Sequence, residues 1–485
     1  MSNQRKTPHM KNIDAKLIQI AENFKSTFDY DTFEKEISSE INAYVSSFIQ
    51  ETMQEVLLSE KFMSTIKAEA KQHNSSYQGD RLISVNIWHG EHILLESPYF
   101  YTRNQKTRGP KKQGRKTGNN IDGHYGLSRM GFINRFSPGL VNEICTTSVL
   151  ASSEQMAVDL LGQKGIDLDI KTLRNTCRDV FNISSTFRGG ISFAEHGEQF
   201  TDLTLIVGID GGRIRTRKNK RGRKKKGQKR QSYNTDWKEP KLFSLYFTDA
   251  NGNVVKEIEP VYDATLSGKD AVFELLSDYL DALPGYLSIK QVVFTGDGAP
   301  WIWSGIETII QQRFAGIQTW QVLDYTHAKQ ALGEIFELLP SNYADADKLW
   351  KNATDMLWKG DIKGLQTLIK ENFKGNKKKK TLKKWADYFH KNEKRMQYSE
   401  FRKHKIPTGS GNVESAIRRV INMRLKSAGS FWLDQWAEVF LFIRAQVVSG
   451  RWKYVIQNLK NRLSGQYLKS DIKQIKTTNF MKYAA

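Results

Sequence analysis

From Leu203 the chain reads LTLIVGID, an apolar run that closes on an acid, and the pattern that follows leaves few folds open. Lys241–Thr248 predicts a second strand with a turn at Asp249–Gly252, and Val254–Ala264 a third, completing an antiparallel meander. Asp270–Leu283 has the period of an amphipathic helix. Gln291–Thr295 is a short apolar strand that runs through Gly296-Asp297-Gly298-Ala299-Pro300 into another helix, and Thr319–Leu323 is a fifth strand, also followed by a helix. Three strands, helix, strand, helix, strand, helix is an order that suits a mixed sheet with helices on its faces. Residues 328–405 read as almost wholly helical, and Gly409–Gly450 resumes as long helices. An α/β core is thus interrupted by a helical insertion and completed by a helix.

The N-terminal part is plainer. Phe33, Ile37, Ile41, Tyr44, Val45, Phe48, Ile49 and Val56 recur at three- and four-residue intervals, which predicts a helix over 30–66 with one apolar stripe; a core-facing role is favoured over a dimerisation face. Leu82–Tyr101 is strand-like with a turn at His89-Gly90. In 152–181, Ser152 or Ser153 precedes a helix containing Met156, Ala157, Leu160 and Leu161. A turn at Gly165 leads to a second helix with Ile170, Leu173 and Cys177. This suits a helix-turn-helix whose second helix carries Lys171, Arg174 and Arg178, or equally an ordinary helical hairpin.

Charge separates the chain into two kinds of surface. The net charge is +22, and segments 103–117, 215–230 and 370–384 hold 7, 11 and 8 basic residues against the single acid Glu371. Elsewhere 48 basic residues face 51 acids. A near-neutral globular chain with three basic outcrops is expected to grip a polyanion. No run of about 18 apolar residues is present, the best, Ala437–Val448, being broken by Arg444. The first twelve residues are polar, unlike a secretion signal. Two cysteines, Cys145 and Cys177, without a CxxC, make no disulfide framework or zinc ribbon, so an intracellular, reducing location is expected. Gly109-x4-Gly114-Arg115-Lys116-Thr117 approaches a phosphate-binding loop, but its lysine is displaced by one and Pro110 interrupts it; no ATP site is expected.

The acids at strand ends carry the chemistry. Asp210 closes the first strand and Asp297 lies just beyond the fourth. The order of elements is the one used by RNase H-like domains, where those two strands are neighbours and the carboxylates would converge. Glu414 lies in Gly409-Ser-Gly-Asn412-Val-Glu414-Ser near the start of a helix plausibly capped by Asn412, flanking the stripe Val413, Ala416, Ile417, Val420 and Ile421. Three hard carboxylates suit Mg²⁺ or Mn²⁺, and two ions about 4 Å apart serve an in-line phosphodiester displacement. Acids at strand ends also commonly face solvent with no ion at all.

Gly208-Ile-Asp210-Gly-Gly, Thr295-Gly-Asp297-Gly-Ala-Pro-Trp-Ile-Trp303, Val322-Leu-Asp324-Tyr-Thr-His327-Ala and Gly411-Asn-Val-Glu414-Ser-Ala-Ile-Arg-Arg419 occur in that order, followed by Arg424-Leu-Lys426 and Phe431-Trp432. Together, over roughly residues 203–447, they resemble the DDE-type transposases of bacterial insertion sequences, and among them the group related to Mutator-type elements. The resemblance implies that Asp210, Asp297 and Glu414 bind two catalytic Mg²⁺ or Mn²⁺ ions, with Asp324 and His327 as an auxiliary pair. It implies cleavage at element ends, transfer of the 3′-OH into target DNA, a homodimer or larger synaptic complex, and a bacterial, nucleoid-associated cytoplasmic location. The paired cysteines of a zinc ribbon that related proteins often carry near Tyr99–Gly118 are missing here.

The expected organisation is an N-terminal helical and short β region over 1–120, a helix-turn-helix-like region over 121–200, an RNase H-like core over 201–330 and a helical insertion over 331–408. Core completion over 409–450 and a basic tail over 451–485 follow. Arg215, Arg217, Lys218, Lys220, Arg221, Arg223, Lys224, Lys225 and Lys226 would hold DNA phosphates beside the acids, with Arg418, Arg419, Arg424 and Lys426 on the Glu414 helix. Two alternatives stand beside the transposase: an RNase H-like nuclease or resolvase without strand transfer, and a non-catalytic DNA-binding protein derived from a transposase.

Overall fold

The computed structural model describes residues 13–464 apart from 73, 103–122, 192–199, 221, 223–226, 228–230, 284–288, 341–342, 344 and 374–378. Segment 103–117, with its phosphate-loop-like sequence, and Arg221, Arg223, Lys224, Lys225 and Lys226 therefore lie outside the described residues. The chain divides into two units: residues up to Thr186 together with the chain from Lys453, and Phe187–Trp452.

In the first unit, helices Ile13–Thr27 and Tyr30–Leu58 are held together by the stacked rings of Phe24 and Phe33, 4.5 Å apart, and by a Lys16–Glu40 ion pair at 2.6 Å. Asp29 caps the second helix by accepting from the Thr32 N–H. An antiparallel hairpin follows helix Glu60–Gln72, with β1 at Ser75–Asn86 and β2 at His92–Thr102, joined through a turn of 3₁₀-helix at Trp88–Gly90. The expected core-facing stripe is only partly buried. Ile49, Met53 and Leu57 pack against the hairpin, while Ile41, Val45, Phe48 and Val56 are exposed. The 29-residue helix outruns the two strands, and only its C-terminal part meets them, at the reciprocal hydrogen bonds of Gln54 with the Glu96 backbone.

Helices Pro138–Leu150, Glu154–Gly162 and Ile170–Ser184 form a cluster around Ala157, Leu161, Leu173 and Cys177. Ser153 and Asp169 cap the last two by accepting from the N–H groups of Met156 and Thr172. On the final helix Lys171 is exposed, Arg174 donates from Nε and Nη2, one edge of its guanidinium, to the two carboxylate oxygens of Glu154, and Arg178 lies 3.7 Å from Asp179. Met156 and Leu160 are exposed rather than buried.

The second unit is built on a five-stranded mixed sheet. Strands β3 (Thr204–Gly211), β6 (Lys241–Thr248), β7 (Val261–Thr265), β8 (Gln291–Gly296) and β9 (Gln318–Leu323) lie in the order β7-β6-β3-β8-β9. The pairs β7–β6 and β6–β3 are antiparallel; β3–β8 and β8–β9 are parallel. Residues 204–209 of β3 and all of β6 are buried, as an interior strand covered on both faces requires.

Between β3 and β6 the chain makes a separate two-stranded ribbon, β4 (Ile214–Asn219) and β5 (Tyr233–Lys238). The basic segment 215–230 carries no strand signal in its sequence, yet its start lies in β4. Its first residues alternate buried and partly buried, Ile214 and Thr216 facing in, which is strand behaviour that the density of lysine and arginine conceals. The third strand is also shorter than expected: Val261–Thr265 pairs continuously with β6, while within 254–260 Val254 makes a single antiparallel bridge to Thr248.

Helices cover both faces of the sheet. Helix Lys269–Asp281 packs on the face that carries Phe243, where Tyr279 meets the Phe243 ring edge-on at 5.3 Å. The opposite face receives helix Gly411–Ile417. Gly208 makes that approach possible, because a Cβ there would sit 2.8 Å from Ser244 Oγ and 2.9 Å from Val413 Cβ. This helix is seven residues long and passes into a π-helical turn at Arg418–Asn422, shorter than the long helix expected; the next, Asp434–Val448, is buried over most of its length. Between β9 and Gly411 lie helix Tyr325–Phe336 and the insertion of helices Ala346–Lys359, Ile362–Asn372, Lys379–Asn392 and Tyr398–Lys403. The insertion has a small core of its own at Leu357, Leu365, Ile369 and Phe389.

A buried ionic cluster ties the sheet edge to its helices. Arg188 grips Asp263 of β7 with two bonds of 2.6 Å and donates to the Ala264 carbonyl at 2.9 Å, with Glu438 of Asp434–Val448 3.6 Å away. Tyr279 donates to the same Asp263 at 2.8 Å. Removing one partner of such a pair strands the other charge in the interior. Arg188→Ala is expected to lower the unfolding free energy by about 3–5 kcal/mol in urea titration; a loss below 1 kcal/mol would show the cluster to be dispensable.

Candidate functional site

The site follows from strand register. Ile209 of β3 pairs with Gly296 of β8, and Gly296 pairs with Leu323 of β9. Asp210, Asp297 and Asp324 are each the next residue along, so three aspartates stand level at the C-terminal ends of three neighbouring parallel strands. Strand alternation puts Asp210 on the face of Gly208, which is the face that helix Gly411–Ile417 covers and the one from which Glu414 arrives.

Each acid is held by a local bond. Asp210 Oδ1 accepts from the Gly211 N–H at 2.6 Å, and Asp297 Oδ1 from the Ala299 N–H at 2.9 Å. Trp303 donates its indole N–H to the Asp297 carbonyl at 2.8 Å, pinning the loop. Asp324 is 1 % exposed and uses both oxygens: Oδ1 caps helix Tyr325–Phe336 at the His327 N–H, 2.9 Å away, and Oδ2 accepts from the Ser410 N–H and, at 2.8 Å, from its hydroxyl. The Ser410 hydroxyl also lies 3.2 Å from Glu414 Oε1, and His327 Nε2 lies 3.7 Å from the same oxygen. Ser410, and not Asn412, stands at the helix N-cap; Asn412 is inside the first turn, where its side chain accepts from the Tyr262 hydroxyl at 3.1 Å.

The ligand-type atoms of Asp324, His327 and Glu414 all lie within 4.8 Å of one another. Asp210 and Asp297 are not in that cluster, yet they are close enough to act on it by charge. Burial pushes the Asp210 carboxyl up to about 6, against the lowering pull of the Gly211 N–H; the Asp297 and Glu414 carboxylates push the same way as burial, and His327 opposes them. Hard carboxylate oxygens with one imidazole at their edge fit a divalent cation such as Mg²⁺ or Mn²⁺. With Asp324 engaged at both oxygens, Asp210, Asp297, Glu414 and His327 are the side chains left to hold one.

Tyr388 stands in no motif of the sequence, and Ser410 lies inside the Gly409–Glu414 motif without being marked out there. Tyr388 sits in the helical insertion and rests on Gly298, where any Cβ would collide with its ring. Burial, then the Asp297 and Asp324 carboxylates, hold its hydroxyl in the protonated form. Nothing in the local pattern of Lys379–Asn392 singles this residue out. Of the cations expected beside Glu414, Arg418 and Lys426 are exposed. Arg419 is turned to structural use, donating to the Tyr262 hydroxyl at 2.6 Å and the Val448 carbonyl at 3.3 Å. Arg424 is buried, over the rings of Trp432 and Phe440. Neither lies on the regular helix that carries Glu414: Arg419 is within the π-helical turn, and Arg424 follows it in a turn.

Residues 228–459, just under half of the chain, match the profile of an uncharacterised protein family, UPF0236. No curated protein matches the sequence. Among solved structures, the Drosophila P element transposase strand transfer complex is similar over 70% of this chain and 86% of that one, at 11% identity and a TM-score of 0.23. Among the described residues no helix is long and apolar enough to cross a membrane.

The raised Asp210 carboxyl makes stability depend on pH with a definite sign. An unfolded aspartate titrates near 3.9, below the folded value of about 6, so the fold favours the protonated form. That contribution is complete below about pH 4 and is lost as pH rises through about 6, a cost of about 3 kcal/mol at pH 8. Asp210→Asn is therefore expected to raise the Tm at pH 8 by several degrees and to leave it unchanged at pH 4, as read by calorimetry without added metal. Mn²⁺ should raise the wild-type Tm at pH 8 and do little at pH 5. A pH-independent effect of the substitution would remove the assigned cause.

Proposed function

We propose that this chain is a DNA transposase of the DDE type, with an RNase H-like core that cleaves phosphodiesters at element ends and joins the resulting 3′-OH to target DNA. The observation that carries the reading is the level placement of Asp210, Asp297 and Asp324 on adjacent parallel strands, with Glu414 delivered to the same face. The strand order β7-β6-β3-β8-β9, antiparallel on one side of β3 and parallel on the other, supports the RNase H-like assignment.

In this reading Asp210, Asp297 and Glu414 hold two Mg²⁺ or Mn²⁺ ions, which when bound supply Lewis-acid activation of the attacking oxygen and stabilisation of the leaving one. Asp324 positions His327 and, through Ser410, the start of the glutamate helix. His327 stands at the edge of the carboxylates, where its imidazole would meet a non-bridging phosphate oxygen or take the proton of the attacking water. Arg215, Arg217, Lys218 and Lys220 on the ribbon, with Arg418 and Lys426, would neutralise phosphates that the acids alone repel. Lys171, Arg174 and Arg178 would belong to recognition of the element ends, with two copies of the chain joining the two ends.

The test uses purified protein, a plasmid carrying the gene with its native flanks, and Mg²⁺ or Mn²⁺. Cuts at the flanking repeats, joined to new DNA and abolished by Glu414→Gln, are expected from mapping 3′ ends and joined products. Breaks without joined products would indicate a nuclease. DNA binding with no metal-dependent cleavage by either protein would indicate a non-catalytic DNA-binding protein.

A further inference from the structure

The β4–β5 ribbon carries a feature that phosphate binding alone leaves unexplained. Cross-strand pairing sets Arg215 opposite Trp237 and Asn219 opposite Tyr233, so Arg215, Arg217, Tyr233 and Trp237 share one face. On that face cations and rings alternate. Arg213 lies 4.7 Å from the Trp237 ring, Arg215 lies 5.7 Å from Trp237 and 4.9 Å from Phe431, Phe431 lies 5.8 Å from Tyr233, and Arg217 lies 5.5 Å from Tyr233. The opposite face is anchored by buried Ile214 and Thr216. The free edge of β4 is pinned by Phe431-Trp432, where the Arg217 N–H donates to the Trp432 carbonyl at 2.8 Å and the Trp432 N–H to the Arg215 carbonyl at 3.0 Å.

Two properties argue for a ligand. Among the described residues none of Arg213, Arg215 and Arg217 is ion-paired with a carboxylate, and the ribbon's own acid, Asp236, lies on the other face. A ladder built only for stiffness needs no such surplus of positive charge. Trp237 and Tyr233 are 46 % and 37 % exposed, large aromatic surfaces held in place beside the unpaired cations. A partner that brings anions and flat π-faces together is a nucleic-acid strand whose bases are not paired, because a duplex hides those faces in its own stack. Guanidinium planes stack on bases as rings do. Arg213, the residue before β4, is only three residues beyond Asp210, so the ladder follows directly in the chain from the strand end that carries this acid.

We propose that the Arg213–Trp237–Arg215–Phe431–Tyr233–Arg217 ladder is a platform for an unpaired DNA strand, its arginines taking phosphates while Trp237 and Tyr233 stack on bases. The proposal rests on the reading of the chain as a DNA-processing enzyme and adds the strandedness of one contact. It is tested on the full chain by fluorescence anisotropy with a labelled single strand of about 20 thymidines and a duplex of the same length. The double variant Trp237→Ala/Tyr233→Ala is expected to weaken single-strand binding by about tenfold or more, in line with stacking energies per base. Duplex affinity should stay within about twofold, and Trp237→Phe should keep most of the single-strand affinity.

Unchanged single-strand binding in the double variant, or equal losses for both DNAs, would overturn the platform. A measurement on wild-type protein guards against misfolding of the variant. A 2-aminopurine base within the thymidine strand should lose fluorescence on binding, and no loss at saturation overturns the proposal. Absence of binding to either DNA would overturn the DNA-processing reading as well. Metal-dependent cleavage with an indifferent ladder would overturn the platform alone.

Discussion

The parallel registration of Ile209, Gly296 and Leu323 across β3, β8 and β9 is the constraint on which the rest of the site depends. The next residue in each case is an aspartate, so the three carboxylates are level only while that pairing holds. A slip of one residue in β8 would turn Asp297 to the face of Phe243 and helix Lys269–Asp281, away from Glu414. The register is protected by burial, since the apolar runs of β3 and β8 have no polar face to offer solvent. It is protected at the sheet edge by Arg188, whose grip on Asp263 and nearness to Glu438 tie β7 to the last core helix.

Gathering acids at one point opposes folding, and the structure shows how the opposition is distributed. Asp324 is the most buried of the four and has surrendered both oxygens to backbone and hydroxyl donors, so its charge is satisfied within the chain. Asp210 has a single local donor, and burial with two neighbouring carboxylates pushes its proton affinity up. Glu414 remains nearly half exposed, with Ser410 and His327 beside one oxygen. The graded arrangement separates a structural acid, which sets the helix start and the 408–410 turn, from acids whose charge is incompletely met. Strain of the second kind is what a cation would relieve.

The sheet was largely legible because its strands are apolar runs with clear turn signals, and the acids at their ends stood out for the same reason. Asp210, Asp297 and Asp324 could be picked from the sequence, while their common level could not, since register is a property of pairs of strands. Other features were hidden by chemistry that local patterns do not encode. The lysine and arginine of 215–220 mask a strand whose alternation is visible only at Ile214 and Thr216. The regular helix ends at Ile417, and beyond it Arg419 and Arg424 are in contact with Tyr262, Trp432 and Phe440 rather than on the expected DNA-facing surface. Tyr388 and Arg188 are tertiary contacts across 90 and 75 residues, to Gly298 and Asp263, and no window of sequence contains either pair.

Charge and chain connectivity meet at Gly211 and Gly212. They join the acidic end of β3 to Arg213 and the ribbon strand that starts at Ile214, so Asp210 and the first of the arginines are separated by two glycines. A polyanion approaching the carboxylates alone would be repelled over about a Debye length, 8–10 Å at physiological salt. The adjoining arginines oppose that potential, and among the described residues none of Arg213, Arg215 and Arg217 is ion-paired with a carboxylate. The ribbon is held away from the acids by its own pairing and by the Phe431-Trp432 edge, which prevents the two charge sets from neutralising each other. An acidic centre and a basic surface kept adjacent along the chain are the combination that the proposed metal ions and phosphate strand would complete together.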